Sequence, residues 1–585
     1  MPRLTRPTRS LRFRRAQPII LAVGVLLLVL VLVLGDMRIV AFTSSEQSAS
    51  QAETTVNIPG TVDLFDDSVV HEVELSFSEA EYDNLIATYQ DEGEKAYIQA
   101  TVTIDGVTIS PVGLRLKGNS TLMGLRRDGP FGRGSRAFMP PSECVPSALR
   151  DMMPAATPVA GTPVTGGTPG AGASPVAGAT PQAGATPAAG AMGAPGGPGG
   201  PGGFGANLDA EDPSTLPWLI SFDEYIDGQR YQGYADIAVR PVMLTEANLN
   251  EALSLKLVGA ADEATQLTAY SSVTWNDSEP VLRLLLEAPG DAFAARNFGG
   301  NGVLYKSLST GGFDYLGDDP TLYVAAFDQE TAKYHQDLKP VIDLMKWTAE
   351  ASDAEFVAEL DQHVDTVSLA RYIALQELLD NFDDMAGPGK NYYLWYDLGT
   401  KQFTVVNWDL NLALSSMGGG PGGRGFSALK EVDFNAMQAC IERVRGPEAG
   451  GNRAEGGPGD GPGGPGGMRM GHPIKDRFLV APEFQALYAH EYANVYNALF
   501  GGDYASNELT RLKEVVASSG LIKTEKLDKE SADLQKKLDE QAALGPVPVA
   551  TPQPANATPA ATPVAATPGT TPLSAPPTVE ENTPQ

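Results

Sequence analysis

Apolar and polar positions alternate with a period of two through much of the first half of the chain. The alternation is clear over 69–77, 95–104 and 111–117, which are therefore predicted to be strands. Asp105 and Gly106 separate the last two runs and form a strong hairpin signal. Further strands are predicted over 218–222, 231–239, 267–275 and 281–287.

The second half of the chain changes to the spacing of amphipathic helices. Helices are predicted over 331–349, 353–362, 368–381, 482–500, 506–519 and 523–543, after earlier ones over 78–89 and 249–258. The last helix is strongly charged, and we interpret it as a solvated terminal helix rather than a short coiled coil. A β-rich part followed by a helical part indicates the α+β class.

The N-terminal residues predict membrane attachment. Residues 1–17 carry six Arg and no acid before Gln17, and 18–35 is an apolar run just long enough to span a bilayer. Because no clear cleavage site follows it, we favour an uncleaved signal anchor with a cytoplasmic N-terminus over a cleaved signal peptide. Residues 36–64 are then a linker to an extracytoplasmic domain.

Three low-complexity segments interrupt or follow the predicted domain at 65–543. Residues 151–205 are rich in Ala, Thr, Pro and Gly, 418–471 are rich in Gly and Pro, and 544–585 return to the first composition. Such segments bury too little apolar surface to offset the entropy of ordering, so we predict disordered inserts and a disordered tail. The sequence leaves open whether Cys144 and Cys440, beside the two inserts, form a disulfide or remain two thiols.

The charge of the chain bears on its partners. A formal net charge of -30 argues against binding to nucleic acid, which usually needs a basic surface. Two Cys and five His without paired spacing supply too little material for a zinc site.

The segment 380–414 concentrates the candidate chemistry. Asp383 and its acidic neighbours close an apolar helical run, and Asp409 with Asn411 follows the predicted strand 402–408. A short hairpin between the two groups can bring both to one rim. Carboxylate and amide oxygens are ligands that hold Mg²⁺ or Mn²⁺ together with substrate phosphates. Each Asp taken alone is more simply explained as a cap or turn residue, whereas for the pair together both interpretations stay open.

The same segment resembles the CotH family, secreted atypical protein kinases of the spore coat protein H type. The resemblance lies in N-x-D at 381–383, N-Y-Y-L at 391–394 and W-D-L-N at 408–411. Other segments resemble the family in the same order along the chain: 112–121, 222–234, 249–258, 283–307 and 482–496. Together they cover roughly residues 65–520.

The resemblance implies a two-lobed, protein-kinase-like fold and transfer of phosphate from ATP to Ser or Thr of secreted, envelope or coat proteins. It implies that Asp383 is the catalytic base, that Asn381 orients it, and that Asp409 binds Mg²⁺ or Mn²⁺ with help from Asn411. Phosphoryl transfer needs positioning and charge neutralisation more than a covalent nucleophile, which agrees with this set.

Two lysines, Lys117 and Lys306, are candidates for the cation that binds the phosphates. Of the two, we favour Lys117. Lys117 ends a predicted strand before Gly118, where backbone N–H groups can approach phosphate oxygens, and Asn119 and Ser120 continue this turn. The resemblance implies that Glu251 is the carboxylate partner of the cation and that Glu287 is a hinge residue. Each of these charged residues also has a simple alternative as an exposed strand or helix residue.

Departures from the family pattern leave two other functions open. Lys390, Asn407 and Asn250 stand where the family commonly has His, Pro and Arg. A non-catalytic envelope scaffold and a calcium-stabilised adhesion module are therefore kept as alternatives to a kinase.

Overall fold

The computed structural model describes residues 54–118, 121–126, 208–333, 336–415 and 471–548. The predicted anchor, both cysteines, Asn119, Ser120 and the inserts apart from Gly471 lie outside these ranges, as does the tail beyond 548. Within the described ranges, no helix has the length and apolar character needed to cross a bilayer.

Seven strands of the first half close into a barrel. The strands are β2 (Val70–Phe77), β3 (Ile98–Ile104), β4 (Val107–Leu116), β5 (Trp218–Ser221), β7 (Asp236–Val239), β8 (Thr268–Trp275) and β9 (Val281–Glu287). Their order is β2-β3-β4-β5-β7-β9-β8. The closing pair, β2 with β8, is parallel, and the other neighbours are antiparallel.

The barrel interior is filled by the apolar residues that the alternating pattern selects. Val73 and Leu75 of β2 and Val102 and Ile104 of β3 are buried, while Glu72 and Glu74, which alternate with the buried residues of β2, are exposed. The β3–β4 turn forms at the predicted position, because Asp105 (φ 48°) and Gly106 (φ 81°) both adopt the left-handed backbone that a tight hairpin requires.

Besides the barrel, the described residues form two smaller sheets. β1 (Val56–Ile58), within the predicted linker, pairs in parallel with β6 (Gln229–Tyr231). A four-stranded sheet has the order β11-β10-β12-β13 and consists of β10 (Gly302–Ser307), β11 (Phe327–Gln329), β12 (Tyr392–Asp397) and β13 (Phe403–Asn407). The predicted single strand over 231–239 is wrong, since a turn at Gly233 (φ 88°) separates β6 from β7.

The helices of the described residues are α1 (Glu79–Glu92), α2 (Leu249–Ala260), α3 (Asp291–Phe298), α4 (Lys339–Glu350), α5 (Asp353–His363), α6 (Thr366–Leu378), α7 (Pro473–Val480), α8 (Pro482–Phe500), α9 (Tyr504–Ser518) and α10 (Thr524–Ala542). Most of them pack around a second apolar core, whereas α1 packs on the barrel and α3 on a small cluster beside β10 and β12. The α+β class predicted from the sequence is therefore confirmed. The prediction that a helix begins at residue 331 is wrong, because α4 begins at Lys339, with Pro340 in its first turn.

The prediction that the last helix is merely solvated is also wrong. α10 buries Leu527, Leu534 and Leu538 in the helical core, against α9 and α2. These leucines recur at spacings of seven and four, which places them on one helix face. The many charged residues of α10 lie on the rest of its surface. They dominate the composition of the helix, so the composition alone does not indicate the apolar face.

We expect Leu534→Ala to lower the free energy of unfolding by about 2–5 kcal/mol, because it leaves a cavity in the helical core. Lys536→Ala on the same helix, which removes a side chain that is 78% exposed, should change it by less than about 0.5 kcal/mol. Urea unfolding of the two variants measures both values. Equal effects would mean that α10 does not pack on the domain.

Candidate functional site

Asp409 lies on the loop that follows β13. The β12–β13 hairpin pairs Tyr392 with Asn407, so the end of β13 lies beside the start of β12. Asp409 has a left-handed backbone (φ 54°), which Asp tolerates better than most residues, and a 3-10 turn begins at Leu410. This bend leaves the Asp409 carboxylate partly exposed between buried neighbours.

Arg240, at the end of β7, joins Asp409 to Glu251. Its Nε donates to Glu251 Oε1 at 2.9 Å, and its Nη2 donates to the same oxygen at 2.5 Å and also to Asp409 Oδ1. Neither lysine candidate forms the ion pair that we expected for Glu251. The sequence analysis did not identify Arg240 as a site residue. Its one local signal is Pro241, because a residue before proline favours an extended backbone and Arg240 therefore continues the direction of β7.

Glu251 is a buried carboxylate in the first turn of α2. Its side chain is 2% exposed, and burial raises its pKa, while the adjacent Arg240 guanidinium opposes this shift. Its second oxygen, Oε2, is buried and has no hydrogen-bond partner in the described part of the chain. A buried carboxylate with one oxygen unsatisfied is costly, which is typical of functional sites.

Lys117 and Lys306 both reach the ring of Trp408, the residue before Asp409. Lys117 Nζ lies 5.5 Å and Lys306 Nζ lies 5.3 Å from the centre of the indole. Burial, together with the positive charges of Lys306 and Arg240, lowers the pKa of Lys117 to about 7. The structure thus brings Lys117, Lys306 and Arg240 to the segment of Trp408 and Asp409. Both lysines are therefore candidates for binding the same phosphates.

Gly118 follows Lys117 with a φ of 121°, a conformation that other residues rarely adopt. A Cβ built there would lie 3.7 Å from Thr121 Cβ, so the backbone conformation rather than packing requires glycine. Asn119 and Ser120, the rest of the predicted phosphate turn, lie outside the described residues.

Asp383 is held in a narrow turn beside β12. Its Oδ1 accepts from the Gly389 N–H at 2.5 Å, and its Oδ2 accepts from Asn391 Nδ2 at 3.0 Å. Burial, together with the negative charge of Asp409, raises the pKa of Asp383 to about 7. The structure therefore brings Asp383 close enough to Asp409 for the two charges to interact.

A chain of buried amides connects the two acidic segments. Asn407 Oδ1 accepts from Gln376 Nε2 at 2.7 Å, and Gln376 Oε1 accepts from Asn381 Nδ2 at 2.7 Å. Asn381 Oδ1 in turn accepts from the Asp383 N–H at 3.4 Å. Asn381 therefore contacts the backbone of Asp383, and the Oδ1 of Asn407 is the acceptor at the other end of the same network.

The other acids near Asp383 have structural partners. Asp384 forms an ion pair with Lys475 of α7 and accepts from the Ala386 N–H at 2.8 Å. Asp380 lies 3.8 Å from Lys537 of α10.

Glu287, which the resemblance identifies as a hinge residue, ends β9. It is fully buried, forms an ion pair with Arg296 of α3 and accepts from the Leu267 N–H at 3.1 Å. These contacts join β9 to α3 and to the start of β8.

Metal ligands are few at this site. Among the described residues, no group of three or more His, Cys, Asp or Glu side chains could hold a metal. Asp409 and Asn411 offer one carboxylate and one amide oxygen, and Arg240 already contacts one oxygen of Asp409. This donor set fits Mg²⁺ or Mn²⁺ bound largely by phosphates and water, which is how Mg²⁺ usually binds with nucleotides.

The model of the family described as CotH kinase protein matches residues 210–542, more than half of the chain. The chain belongs to the CotH kinase family. No curated protein matches it. The match contains Arg240, Glu251, Lys306, Asp383 and Asp409, but it begins after the segment 112–121, so the position of Lys117 rests on the structure alone.

The unusual Asn250 of this CotH domain has a clear structural role. Its Nδ2 donates to the main-chain carbonyls of Asn411 at 2.8 Å and Ala413 at 3.0 Å. These two bonds tie the first turn of α2 to the loop that carries Asp409. An asparagine at this position therefore supports the CotH site even though it adds no charge.

We expect Arg240→Met to lower the free energy of unfolding by about 3 kcal/mol, since it leaves Glu251 buried without its partner. Adding Glu251→Gln should recover part of this loss because it removes the buried charge. Urea unfolding measures both. Lys339→Met, which breaks an exposed ion pair with Asp343, is the control and should cost less than about 1 kcal/mol. A loss that Glu251→Gln makes larger would contradict the ion-pair interpretation.

Proposed function

We propose that the protein is a membrane-anchored, extracytoplasmic kinase that transfers phosphate from ATP, with Mg²⁺ or Mn²⁺, to Ser or Thr of envelope or coat proteins. The observation that carries the proposal is the meeting of Asp383, Asp409 and the Arg240–Glu251 pair within a CotH domain. Two lysines at the ring of Trp408, the residue before Asp409, add the positive charge that a polyphosphate needs.

The distribution of these residues supports a two-lobed, kinase-like plan. The cations come from strands or strand ends: Lys117 follows β4, Arg240 follows β7, and Lys306 lies in β10. The acids Asp383 and Asp409 come from loops after α6 and β13. The substrate would then bind where the two sets of residues meet, with phosphates toward the cations.

Each residue has a definite task in this mechanism. Asp383, with a pKa near 7, accepts the proton of the attacking hydroxyl, while Gly389 and Asn391 fix the direction of its carboxylate. Asp409 and Asn411 would hold the metal ion, which when bound neutralises charge on the phosphate oxygens. Lys117, Lys306 and Arg240 bind and orient the phosphates, and orientation contributes most to phosphoryl transfer.

One observation favours the alternative of a non-catalytic envelope scaffold. Arg240 already contacts an oxygen of Asp409 that a metal ion would need. In a scaffold this contact would be permanent and would simply stabilise the fold. In a kinase, Arg240 shifts toward the phosphates when metal and nucleotide bind. Nucleotide binding therefore separates the two functions.

We expect ATP with Mg²⁺ or Mn²⁺ to raise the melting temperature of the purified protein, because a ligand at 100 times its Kd contributes about 2.7 kcal/mol. Asp409→Ala should abolish this shift. Asp383→Asn should keep the shift and lose phosphoryl transfer to a Ser or Thr substrate. Thermal-shift titration and transfer of labelled phosphate measure the two effects.

Asp343→Ala, which removes an exposed carboxylate, is the control for that titration and should behave as the unmodified protein does. Calcium alone should give no shift. Stabilisation by calcium without nucleotide would support the adhesion module, and no response to any of these ligands would support the scaffold.

We expect nucleotide affinity to fall as pH rises above 7, because Lys117 then becomes neutral and must take up a proton when phosphate binds. Below pH 7 the amine is already charged, so this dependence disappears. The loss should approach tenfold per pH unit from pH 8. Titration calorimetry in two buffers of different ionisation enthalpy measures the proton uptake.

Lys117→Arg should bind nucleotide without this proton uptake, since arginine stays charged throughout the range. Lys536→Arg is the control at an exposed lysine and should leave the uptake unchanged. Equal uptake in the Lys117→Arg and unmodified proteins would show that another group titrates.

A further inference from the structure

Three consecutive residues in the first turn of α2 hold three different parts of the molecule. Glu251 binds Arg240, and Asn250 binds the carbonyls of the loop after Asp409. The N–H of Leu249 donates to Glu530 of α10 at 2.9 Å. The position of this single turn therefore decides the position of the Arg240–Glu251–Asp409 contacts.

Glu530 caps this turn from the far end of the chain. Its Oε1 accepts from Thr245 Oγ1 at 2.6 Å as well as from Leu249, and its Oε2 accepts from the Ala247 N–H at 3.1 Å. The first N–H groups of a helix have no partner inside the helix, and a carboxylate there also interacts favourably with the helix dipole. Glu530 satisfies both conditions.

The usual local cap is absent from α2. Asn248 occupies the capping position, but it has a left-handed backbone (φ 49°), and its side chain makes no capping hydrogen bond. Instead its Nδ2 donates to the Pro241 carbonyl at 2.8 Å, and its Oδ1 accepts from the Met243 N–H at 3.1 Å. The side chain of Asn248 thus stabilises the loop after Arg240. The N-terminus of α2 is capped by Glu530 instead.

A buried carboxylate from a distant helix is an expensive way to cap a helix. Glu530 is 9% exposed, and burying a charge costs free energy unless hydrogen bonds replace water. A local Ser or Asp at the capping position provides similar bonds at the surface without this cost. The arrangement makes sense if α10 has to fix α2 itself.

We propose that Glu530 is a positioning residue, through which the C-terminal helix fixes the first turn of α2 and so aligns Glu251, Arg240 and Asp409. For phosphoryl transfer, this inference rests on the proposed kinase function. The alignment itself does not, since it concerns contacts within the protein. Displacement of α10 would then make the arrangement of Glu251, Arg240 and Asp409 less rigid, although none of these three residues is itself changed.

The test compares Glu530→Ala and Glu530→Gln with Glu525→Gln in the full-length protein. Glu525 lies in the first turn of the same helix and is exposed, so its substitution removes the same charge without touching α2. Hydrogen–deuterium exchange is measured over α2 and over the segment 408–415. We expect exchange in both segments to be roughly tenfold faster in Glu530→Ala, unchanged in Glu525→Gln, and unchanged in β2–β4 of every variant.

A second measurement asks whether Glu530 acts through Glu251. Glu530→Ala should lower kcat for phosphoryl transfer roughly tenfold or more, with a smaller change in KM. In a Glu251→Gln background the same substitution should lower kcat less than twofold, because the residue that it positions is already lost. Equal losses in the two backgrounds would mean that Glu530 only stabilises the fold.

The two measurements separate the inference from the proposed function. If the unmodified protein transfers no phosphate, the kinase proposal fails, and exchange still decides the role of Glu530. If exchange over 408–415 stays unchanged in Glu530→Ala, the positioning role is refuted. Should Glu530→Ala not fold, Thr245→Val removes one of the three bonds and must show the same pattern at smaller size.

Discussion

The candidate functional site of this molecule depends on one guanidinium group. Arg240 lies between Glu251, which is buried, and Asp409, whose charge raises the pKa of Glu251 further. Without the positive charge, two carboxylates would face each other at low dielectric, which proteins avoid unless one of them is protonated. Arg240 therefore holds together the end of β7, the first turn of α2 and the loop after β13.

Local order along the chain explains which site residues could be predicted. Asp383 and Asp409 flank one hairpin, and a hairpin of that length has few ways to fold, so the sequence alone indicates that both lie at one rim. Arg240 is 169 residues from Asp409, and Glu530 is 281 residues from Leu249. No period or short motif signals contacts of this kind, because they depend on how barrel and helices pack.

Composition was a poor guide in two places. The many charges of α10 suggested a solvated helix, yet three leucines and Glu530 are buried. The chain carries a net charge of -30, yet Lys117, Lys306 and Arg240 gather around Trp408 and Asp409. Over distances beyond about 8 Å at physiological salt the overall charge is screened, so a local cluster of cations decides what binds there.

Closure of the barrel has a consequence for how the protein is made. β2 pairs with β8 in parallel, with Val70 opposite Tyr270. One edge of β2 therefore has no hydrogen-bonding partner strand until residues about 200 positions later have been synthesised. At about 5–20 residues per second, synthesis of that stretch takes roughly 10–40 s. During this time an apolar strand edge remains available to other chains, and unpaired edges of this kind promote aggregation. The yield of folded protein should therefore depend on how the early β-strands are protected before the second half of the barrel arrives.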